Sequence, residues 1–296
     1  MIGINLPRGV TISGTHSTGP ILDIDTAACR ARVSLRGGQI LAWQPAGHQP
    51  VLWLSAGARF APGSSIRGGI PICWPWFADH PTDAAKPSHG FARNRDWLLT
   101  SASLVDDGVR LCMRLPATPG DDELWPHSSR PSLEVCAGSS LRLKLDVANV
   151  DRHPLTFSQA LHSYFSVAEI AQVSIDGLQG ASYYDKLTAT THVQPAQAIT
   201  FAGEVDRIYR HSTGIIRLRD PGLRREVAVQ QQGGGSIIVW NPWLEKTQRL
   251  GDMGDDMAYR TMVCIETGSV AEQAVELNPG ESRELITEIS VSGLAV

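Results

Sequence analysis

The chain has 296 residues, a formal net charge of −4 and a sequence pI of about 6.1. It is 42% hydrophobic and 19% charged, an ordinary globular balance that excludes a disordered, collagen-like or coiled-coil chain. Because the net charge is weakly negative, the protein has no overall positive potential that would attract a polyanion. We therefore do not expect nucleic acid as a partner.

Strands dominate the predicted elements, because apolar residues mostly recur with a period of two. In chain order, this alternation predicts strands at 21–25, 30–35, 96–105, 108–115, 140–150, 172–177, 214–220, 236–241, 259–267 and 284–292. The only helical signal is a short one near 244–250. The chain has 28 glycines and 18 prolines, residues that favour turns between strands, and we predict an all-β chain. The sequence contains no linker and no repeat. Its expected architecture is a large antiparallel β-sandwich forming a single domain, residues 1–296.

The five cysteines are widely spaced and form no CxxC pair, which predicts free thiols in a reducing compartment. The N-terminus lacks the apolar run and cleavage site of a signal peptide, and no stretch of about 18 apolar residues occurs. We therefore expect a cytoplasmic, soluble and monomeric protein with no membrane partner.

Two segments, 62–95 and 117–131, break the strand pattern, and long irregular loops on a β scaffold often carry binding sites. The first holds Arg67, His89 and Arg93 around the paired tryptophans Trp74 and Trp76. Aromatic rings suit the apolar face of a sugar, and arginine binds anions bidentately. The alternative is that the tryptophans close the end of the sandwich while the arginines lie over them.

A possible acid and base come from two other strands. Alternation in the segment 160–167 places His162 between apolar neighbours, and the apolar strand from Met262 ends on Glu266. A histidine in such a strand is more often a hydrogen-bonded core residue, and a glutamate at a strand end is usually solvated. Together, however, they supply the acid and base that proton transfer on a sugar hydroxyl needs.

Asp206 lies beside Arg207 in a strand-like run, 203–209. Its carboxylate could accept hydrogen bonds from sugar hydroxyls, or it could form a surface ion pair. No phosphate-binding glycine loop, HExxH, GxSxG or EF-hand pattern occurs in the sequence. We therefore expect neither a cofactor nor a metal.

Six motifs in one order resemble the hexose-6-phosphate mutarotases, also called glucose-6-phosphate 1-epimerases, of the aldose 1-epimerase superfamily. They are IRGGIPICWPWF (66–77), HGFAR (89–93), LHSYF (161–165), EVDRIY (204–209), VWNPW (239–243) and VCIET (263–267). The resemblance extends from about residue 20 to 290. It implies a galactose mutarotase-like β-supersandwich and a cofactor-independent isomerase whose partner is a small sugar phosphate.

The resemblance also implies roles for single residues. The histidine of the LHxYF motif falls on His162 as general acid, and the glutamate of the C[IV]E motif falls on Glu266 as general base. Ring opening and closure would then exchange the α and β anomers of an aldohexose 6-phosphate. The unperturbed histidine pKa of about 6.5 permits both roles near neutral pH.

Four further residues would bind substrate on the same resemblance. Arg67 and Arg93 would hold the phosphate, Asp206 would hold sugar hydroxyls, and His89 would assist near the ring oxygen. The chain departs from the family at Ser88, where many members carry glutamine, so a direct substrate contact is not expected there.

Three other functions remain open on the sequence. A sugar-binding module would need the aromatic loop but not the acid-base pair. A glycoside hydrolase or lyase usually needs two carboxylates flanking the bond, and Asp206 would have to join Glu266. A sugar-phosphate sensor would retain the fold without turnover.

Overall fold

The computed structural model describes residues 4–118, 121–210 and 214–294. Its strands, β1 to β22 in chain order, are Val10–Ser13, Ile21–Asp25, Cys29–Ser34, Gln39–Pro45, Ile72–Cys73, Leu98–Val105, Gly108–Arg114, Ser129–Ala137, Leu141–Asn149, Leu155–Phe157, Gln159–Leu161, Tyr164–Ser166, Ser174–Asp176, Ser182–Asp185, Thr190–Val193, Val205–Arg210, Ile216–Asp220, Arg225–Gln232, Ser236–Asn241, Met262–Ser269, Val275–Leu277 and Ser282–Gly293. The helices α1 and α2 span Asp121–Leu124 and Trp243–Leu250. Short 3-10 turns span Ala92–Asn94, Ile170–Gln172, Ala258–Thr261 and Ala271–Gln273.

The strands pair antiparallel in four sheets across the described ranges, which confirms the predicted all-β class. Two sheets have eight strands each. One, here called the support sheet, has the order β13-β17-β18-β22-β9-β8-β7-β6. The other, the site sheet, has the order β15-β14-β16-β19-β20-β11-β5, with β12 also paired to β20. A four-stranded sheet, β1-β2-β3-β4, and the pair β10-β21 complete the framework.

The support sheet shows the alternation read from the sequence. In β9, Leu141, Leu143 and Leu145 are fully buried in the core, while the residues between them are partly exposed. On the outer face, Lys144 pairs with Glu284 of the neighbouring strand β22 at 3.1 Å. One apolar and one charged face are typical of a sheet with one side in solvent.

The central strands of the site sheet are buried on both faces, and every residue of β19 and β20 is buried. Val263 and Ile265 join the main hydrophobic core, whereas Cys264 packs in a second cluster on the opposite face. Because residues two apart share a face, Glu266 lies on the same face as Cys264. This second face of the site sheet holds the candidate site.

Several predicted boundaries need correction. The segment 160–167 is two short strands, β11 and β12, separated at His162 and Ser163. The predicted strand 259–267 begins at Met262, because the residues before it form a 3-10 turn, and it continues past Glu266. The predicted short helix exists as α2, and it ends at Gly251, whose φ of 67° is the left-handed conformation that glycine adopts readily.

The cysteines, the helices and the loop 117–131 bear on three further expectations. All five cysteines are free. Across residues 4–118, 121–210 and 214–294, none of the helices has the length and apolar character needed to cross a bilayer. The predicted loop 117–131 contains α1, and its residues 119 and 120 lie outside the described residues.

Candidate active site

All six residues nominated from the sequence line one cavity of about 320 Å³ on the site sheet. They are Arg67, His89, Arg93, His162, Asp206 and Glu266. The other lining residues are Phe77, Ser88, Lys186, Ile238, Trp240, Lys246 and Leu250. The sheet therefore brings together residues that are up to 199 positions apart in the chain, counted from Arg67 to Glu266.

Strand register explains how the site is assembled. Across the sheet, Asp206 pairs with Trp240, and Trp240 pairs with Cys264. In the next row, Ile238 pairs with Glu266. Since β11 pairs antiparallel with β20, the histidine that follows β11 lies beside Glu266. The strand pairing is interrupted after β11, and this histidine, His162, lies at the edge of the cavity.

His162 and Glu266 are in direct contact, with 3.3 Å between Nε2 and Oε1. The His162 side chain is 8% exposed and that of Glu266 is 1% exposed. The expectation of a solvated glutamate is thus wrong, because β20 runs through the middle of the site sheet. One acid and one base group lie within proton-transfer distance of each other.

Burial shifts both groups away from their charged forms. It raises the pKa of Glu266 well above 4.5, and the nearby Asp206 carboxylate raises it further. It lowers the pKa of His162 well below 6.5, and His89, Arg93 and Arg67 lower it further. The resting pair therefore favours a neutral imidazole beside a protonated carboxyl. Since the groups are in contact, the proton belongs to the pair, and the pair titrates as a unit.

His89 is fixed by its own backbone and neighbours. The Ala78 amide donates to His89 Nδ1 at 3.3 Å, and the ring packs edge-on against Phe77 at 4.8 Å and His162 at 5.6 Å. Burial and the nearby Arg93 lower the pKa of His89 well below 6.5. A neutral ring that accepts at Nδ1 carries its proton on Nε2, so His89 is a donor at that nitrogen.

Arg67 is already engaged. Its Nε donates to Asp252 Oδ1 at 3.0 Å, and its Nη1 donates to the Tyr164 hydroxyl at 3.0 Å. Both residues of the Arg67–Asp252 ion pair are mostly buried, at 21% and 17% side-chain exposure. Two of its three nitrogens are therefore bound within the protein, and Nη2 remains for a ligand.

Arg93 differs from the other cations of the cavity. Its Nη2 donates to the Ser88 carbonyl at 2.7 Å. Its Nε is buried and has no hydrogen-bond partner in the described part of the chain. Among those same residues, no carboxylate lies within ion-pair distance of Arg93. An uncompensated cation next to a cavity is a natural anion site.

Asp206 is buried, and it does not pair with the adjacent Arg207, so the proposed surface ion pair is wrong. Its Oδ2 lies 3.2 Å from Lys186 Nζ and 3.6 Å from Lys246 Nζ. Lys246 Nζ also donates to Glu204 at 2.7 Å. The charges of the two lysines and the two carboxylates cancel. The Asp206 carboxylate, held by the lysines, lines the cavity.

The tryptophans of the loop 62–95 do not supply a sugar platform. Trp74 and Trp76 are 2% and 5% exposed in the main core, where Trp74 packs edge-on against Phe91 and Trp125. Their burial favours the structural alternative stated for these tryptophans. Trp240, on β19, lines the cavity instead. Its place follows from the order of strands in the sheet, which the local sequence does not reveal.

Gly68 and Gly69 likewise serve the scaffold. Their φ values are 105° and 64°, and a Cβ at Gly69 would lie 2.1 Å from the Ile40 carbonyl oxygen. The glycines permit close packing of backbone on backbone, which orients the neighbouring Arg67.

Sequence reasoning also missed Lys186, Lys246 and Asp252. One available signal was composition: the chain has 22 arginines and four lysines, yet two of those lysines line the cavity. The sequence assigned no role to Asp252. Its function as the partner of Arg67 emerges only from the tertiary structure.

His162, Cys264 and Glu266 offer ligand atoms that all lie within 4.8 Å of one another, close enough to hold a metal ion. Metal binding at Cys264 requires its thiolate. Burial raises the pKa of this thiol well above 9.0, and the Glu266 carboxylate raises it further. With no ion bound, the Cys264 thiol is therefore protonated.

Comparison with known proteins yields a consistent set of matches. The family model of aldose 1-epimerase matches residues 20–290. A protein from Escherichia coli (strain K12), provisionally named glucose-6-phosphate 1-epimerase, is 35% identical over 253 residues, which cover 85% of this chain and 84% of that protein. The crystal structure of a protein from Salmonella typhimurium, provisionally described as a mutarotase, has a TM-score of 0.91 at 30% identity, covering 99% of this chain and 97% of that one. A galactose mutarotase-like protein from Clostridium acetobutylicum shares the fold, with a TM-score of 0.71 at 13% identity over 96% and 98% of the two chains.

Proposed function

The chain belongs to the aldose 1-epimerase family, and from this membership and the site geometry we propose that it interconverts the α and β anomers of glucose 6-phosphate. The resemblance read from the sequence is thereby confirmed, as is the galactose mutarotase-like sandwich. The observation that carries the mechanistic part is the contact between His162 and Glu266, 3.3 Å apart in one cavity.

Ring opening requires two proton movements at neighbouring atoms. Glu266, ionised, takes the proton of the anomeric hydroxyl, while protonated His162 gives one to the ring oxygen as its bond to the anomeric carbon breaks. Both oxygens are bonded to the same carbon, so the acid and the base must lie side by side. The 3.3 Å contact between the two side chains supports this arrangement.

Ring closure reverses the proton movements. After rotation about the bond between the first two carbons, the hydroxyl adds to the opposite face of the aldehyde. His162, now neutral, takes the proton of that hydroxyl, and Glu266, now protonated, gives its proton to the carbonyl oxygen. No proton is gained or lost overall. In the free enzyme, the pKa shifts of the two groups favour neutral His162 with protonated Glu266. Proton transfer from Glu266 to His162 across the contact then gives the ionised Glu266 and protonated His162 that open the ring.

We assign the phosphate principally to Arg93. Arg67 pairs with Asp252, and Lys186 and Lys246 share Asp206 and Glu204. Arg93 has no carboxylate partner within the described ranges, and the phosphate of the substrate would supply the missing anionic partner. Arg67 would contribute its remaining nitrogen as a second ligand. Binding energy from this group, remote from the reacting carbon, supports catalysis when it orients the sugar.

Two other residues would complete substrate recognition. The Asp206 carboxylate, held by the two lysines, would accept hydrogen bonds from sugar hydroxyls. His89, with its proton on Nε2, would donate near the ring oxygen. A neutral histidine suits that place, because a second positive charge would further lower the pKa of His162.

Magnetisation-exchange NMR tests the proposal, because it detects anomer interconversion without a coupling enzyme. The expected result is accelerated exchange for glucose 6-phosphate, with a smaller effect for glucose and galactose. No acceleration with any of these aldoses would refute the proposed activity. Release of product from an aryl glycoside would instead favour hydrolysis.

Substitution of the arginines tests the phosphate assignment. Arg93→Ala should raise KM for glucose 6-phosphate far more than for glucose, and Arg67→Ala should show a smaller difference of the same kind. Arg95→Ala is a suitable control, since Arg95 pairs with Asp121 outside the cavity. Equal changes in KM for the two sugars would contradict a phosphate contact.

A further inference from the structure

The imidazole of His162 lacks the bond that usually orients an acid-base histidine. In most such sites, the nitrogen that faces away from the substrate donates to a carboxylate or a carbonyl, which fixes the ring plane and the tautomer. Here His162 Nδ1 is buried and has no hydrogen-bond partner within residues 4–118, 121–210 and 214–294. Another feature of the site must therefore hold the ring.

Aromatic packing is the feature that remains. The Tyr164 ring stacks on the imidazole, with 4.7 Å between ring centroids and 12° between planes. The Trp240 ring stands edge-on to the imidazole at 6.0 Å and 82°. A parallel ring on one face and an edge-on ring beside it restrict rotation of the imidazole about its bond to Cβ.

Tyr164 is itself held at both ends. Its backbone belongs to β12, where it pairs with Cys264 of β20. Its hydroxyl accepts from Arg67 Nη1 at 3.0 Å, and Arg67 Nε donates to Asp252 at 3.0 Å. The Asp252 carbonyl accepts from Ser55 Oγ at 2.7 Å, which ties this loop to the scaffold. The tyrosine ring is 2% exposed and has little freedom to move.

We propose that Tyr164 is a positioning residue that holds the His162 imidazole against Glu266 by ring stacking, and that Arg67 and Asp252 hold Tyr164. The proposal rests on the function assigned above to His162. It gives Arg67 a second duty beyond any contact with substrate.

Two substitutions of Tyr164 separate the ring from its hydroxyl. Tyr164→Leu removes the stacked ring, and we expect kcat for anomer exchange to fall by up to about 10²-fold, the effect of a misplaced catalytic group. KM should stay within about threefold of wild type, because Tyr164 supports His162 and the cavity is lined by other residues. Tyr164→Phe keeps the ring and should retain most of kcat.

Tyr209→Leu is the matched control. Tyr209 is a fully buried tyrosine of the same sheet, and its hydroxyl donates to Gln194 at 2.7 Å, outside the cavity. It should lose stability while keeping kcat in the folded fraction. An equal loss of kcat in the two leucine variants, or wild-type kcat in Tyr164→Leu, would overturn the proposal.

Imidazole ¹⁵N NMR provides a readout that does not depend on turnover. In wild type, the His162 signals, assigned by their loss in His162→Ala, should report a single tautomer, because the ring is held in one orientation. Tyr164→Leu should give a tautomer mixture, and Tyr164→Phe, which keeps the ring and loses only its bond to Arg67, should give a smaller share of the second tautomer. If the leucine variant fails to fold, Asp252→Asn replaces it, because it leaves the tyrosine ring in place and weakens only its support. Its spectrum should show a tautomer mixture with a smaller share of the second tautomer than Tyr164→Leu. Unchanged spectra in both would overturn the proposal, whereas an absence of exchange in wild type would count only against the proposed function.

Discussion

The two eight-stranded sheets of this protein are built on different principles. The support sheet alternates apolar and charged residues, and its outer face carries cross-strand pairs such as Lys144 with Glu284. The site sheet buries both faces of β19 and β20, and it places an ionisable pair, His162 and Glu266, in that buried region. One sheet follows the rules for stability, and the other departs from them at the candidate site.

The departure has a measurable energetic side. His162 Nδ1, Ser163 Oγ and Glu266 Oε2 are buried without hydrogen-bond partners in the described part of the chain. A buried polar atom left without a partner costs about 1–3 kcal/mol. These three atoms therefore lower the stability of the site sheet. Substitutions in the two sheets should consequently affect different quantities.

The largest effect is expected on turnover, from the buried pair. His162→Ala or Glu266→Gln should lower kcat for anomer exchange by at least about 10²-fold, the usual contribution of a general acid or base. Circular dichroism should show that both variants stay folded. Glu284→Gln, in the support sheet, is the control and should leave kcat unchanged. Wild-type turnover in either site variant would break the contrast between the sheets.

A comparable effect on stability, but not on turnover, is expected from the support sheet. Leu143 is fully buried at the centre of β9. Leu143→Ala should lower the free energy of unfolding by about 2–5 kcal/mol, as measured by urea denaturation. Leu98→Ala, on the edge strand β6 where the side chain is 39% exposed, should cost much less. A fall in kcat of folded Leu143→Ala would show that the sheets are not separable.

The buried carboxyl makes a smaller, pH-dependent prediction. Because the folded-state pKa of Glu266 is raised above 4.5, burial favours folding with the proton bound, and this contribution is lost as pH rises through the folded value. Glu266→Gln cannot ionise. Its melting temperature should therefore exceed that of wild type at high pH, and the gap should close towards pH 4.5. A gap that is constant with pH would contradict burial of the charge.

The smallest effect is expected on the outer face of the support sheet. Lys144 and Glu284 are 30% and 51% exposed at the side chain. Lys144→Ala should change the free energy of unfolding by no more than about 1 kcal/mol, since exposed ion pairs contribute little. A larger loss in urea denaturation would mean that the charged face supports the fold more than its exposure suggests.

The same contrast explains what the sequence could and could not predict. Where alternation is regular, as in β7 and β9, strand positions read from the sequence agree with the structure closely. In the site sheet, continuous burial removes the alternation, so the break at His162 and the burial of Glu266 were missed. Both residues nevertheless line one cavity, and motif order had pointed to them where periodicity did not.

The remaining errors concern long-range contacts. Trp74 and Trp240 are both tryptophans near polar residues, yet one lies in the core and the other in the cavity. Lys186 and Lys246 reach the site from a turn and from α2, and Asp252 reaches Arg67 across 185 positions. Such contacts depend on the order of strands in the sheet, which local pattern does not determine.

In the proposed mechanism, His162 and Glu266 share one proton during anomer exchange. The pH dependence of the exchange rate of glucose 6-phosphate, measured by magnetisation-exchange NMR, tests it most directly. A pair that works with one shared proton must lose activity when a second proton binds and when the last one leaves, so the rate should pass through a maximum. Because the pKa of His162 is lowered, the acid limb should lie below pH 6.5, and the raised pKa of Glu266 should place the alkaline limb above pH 4.5. A rate that rises steadily with pH, as in catalysis by hydroxide, would contradict the shared proton.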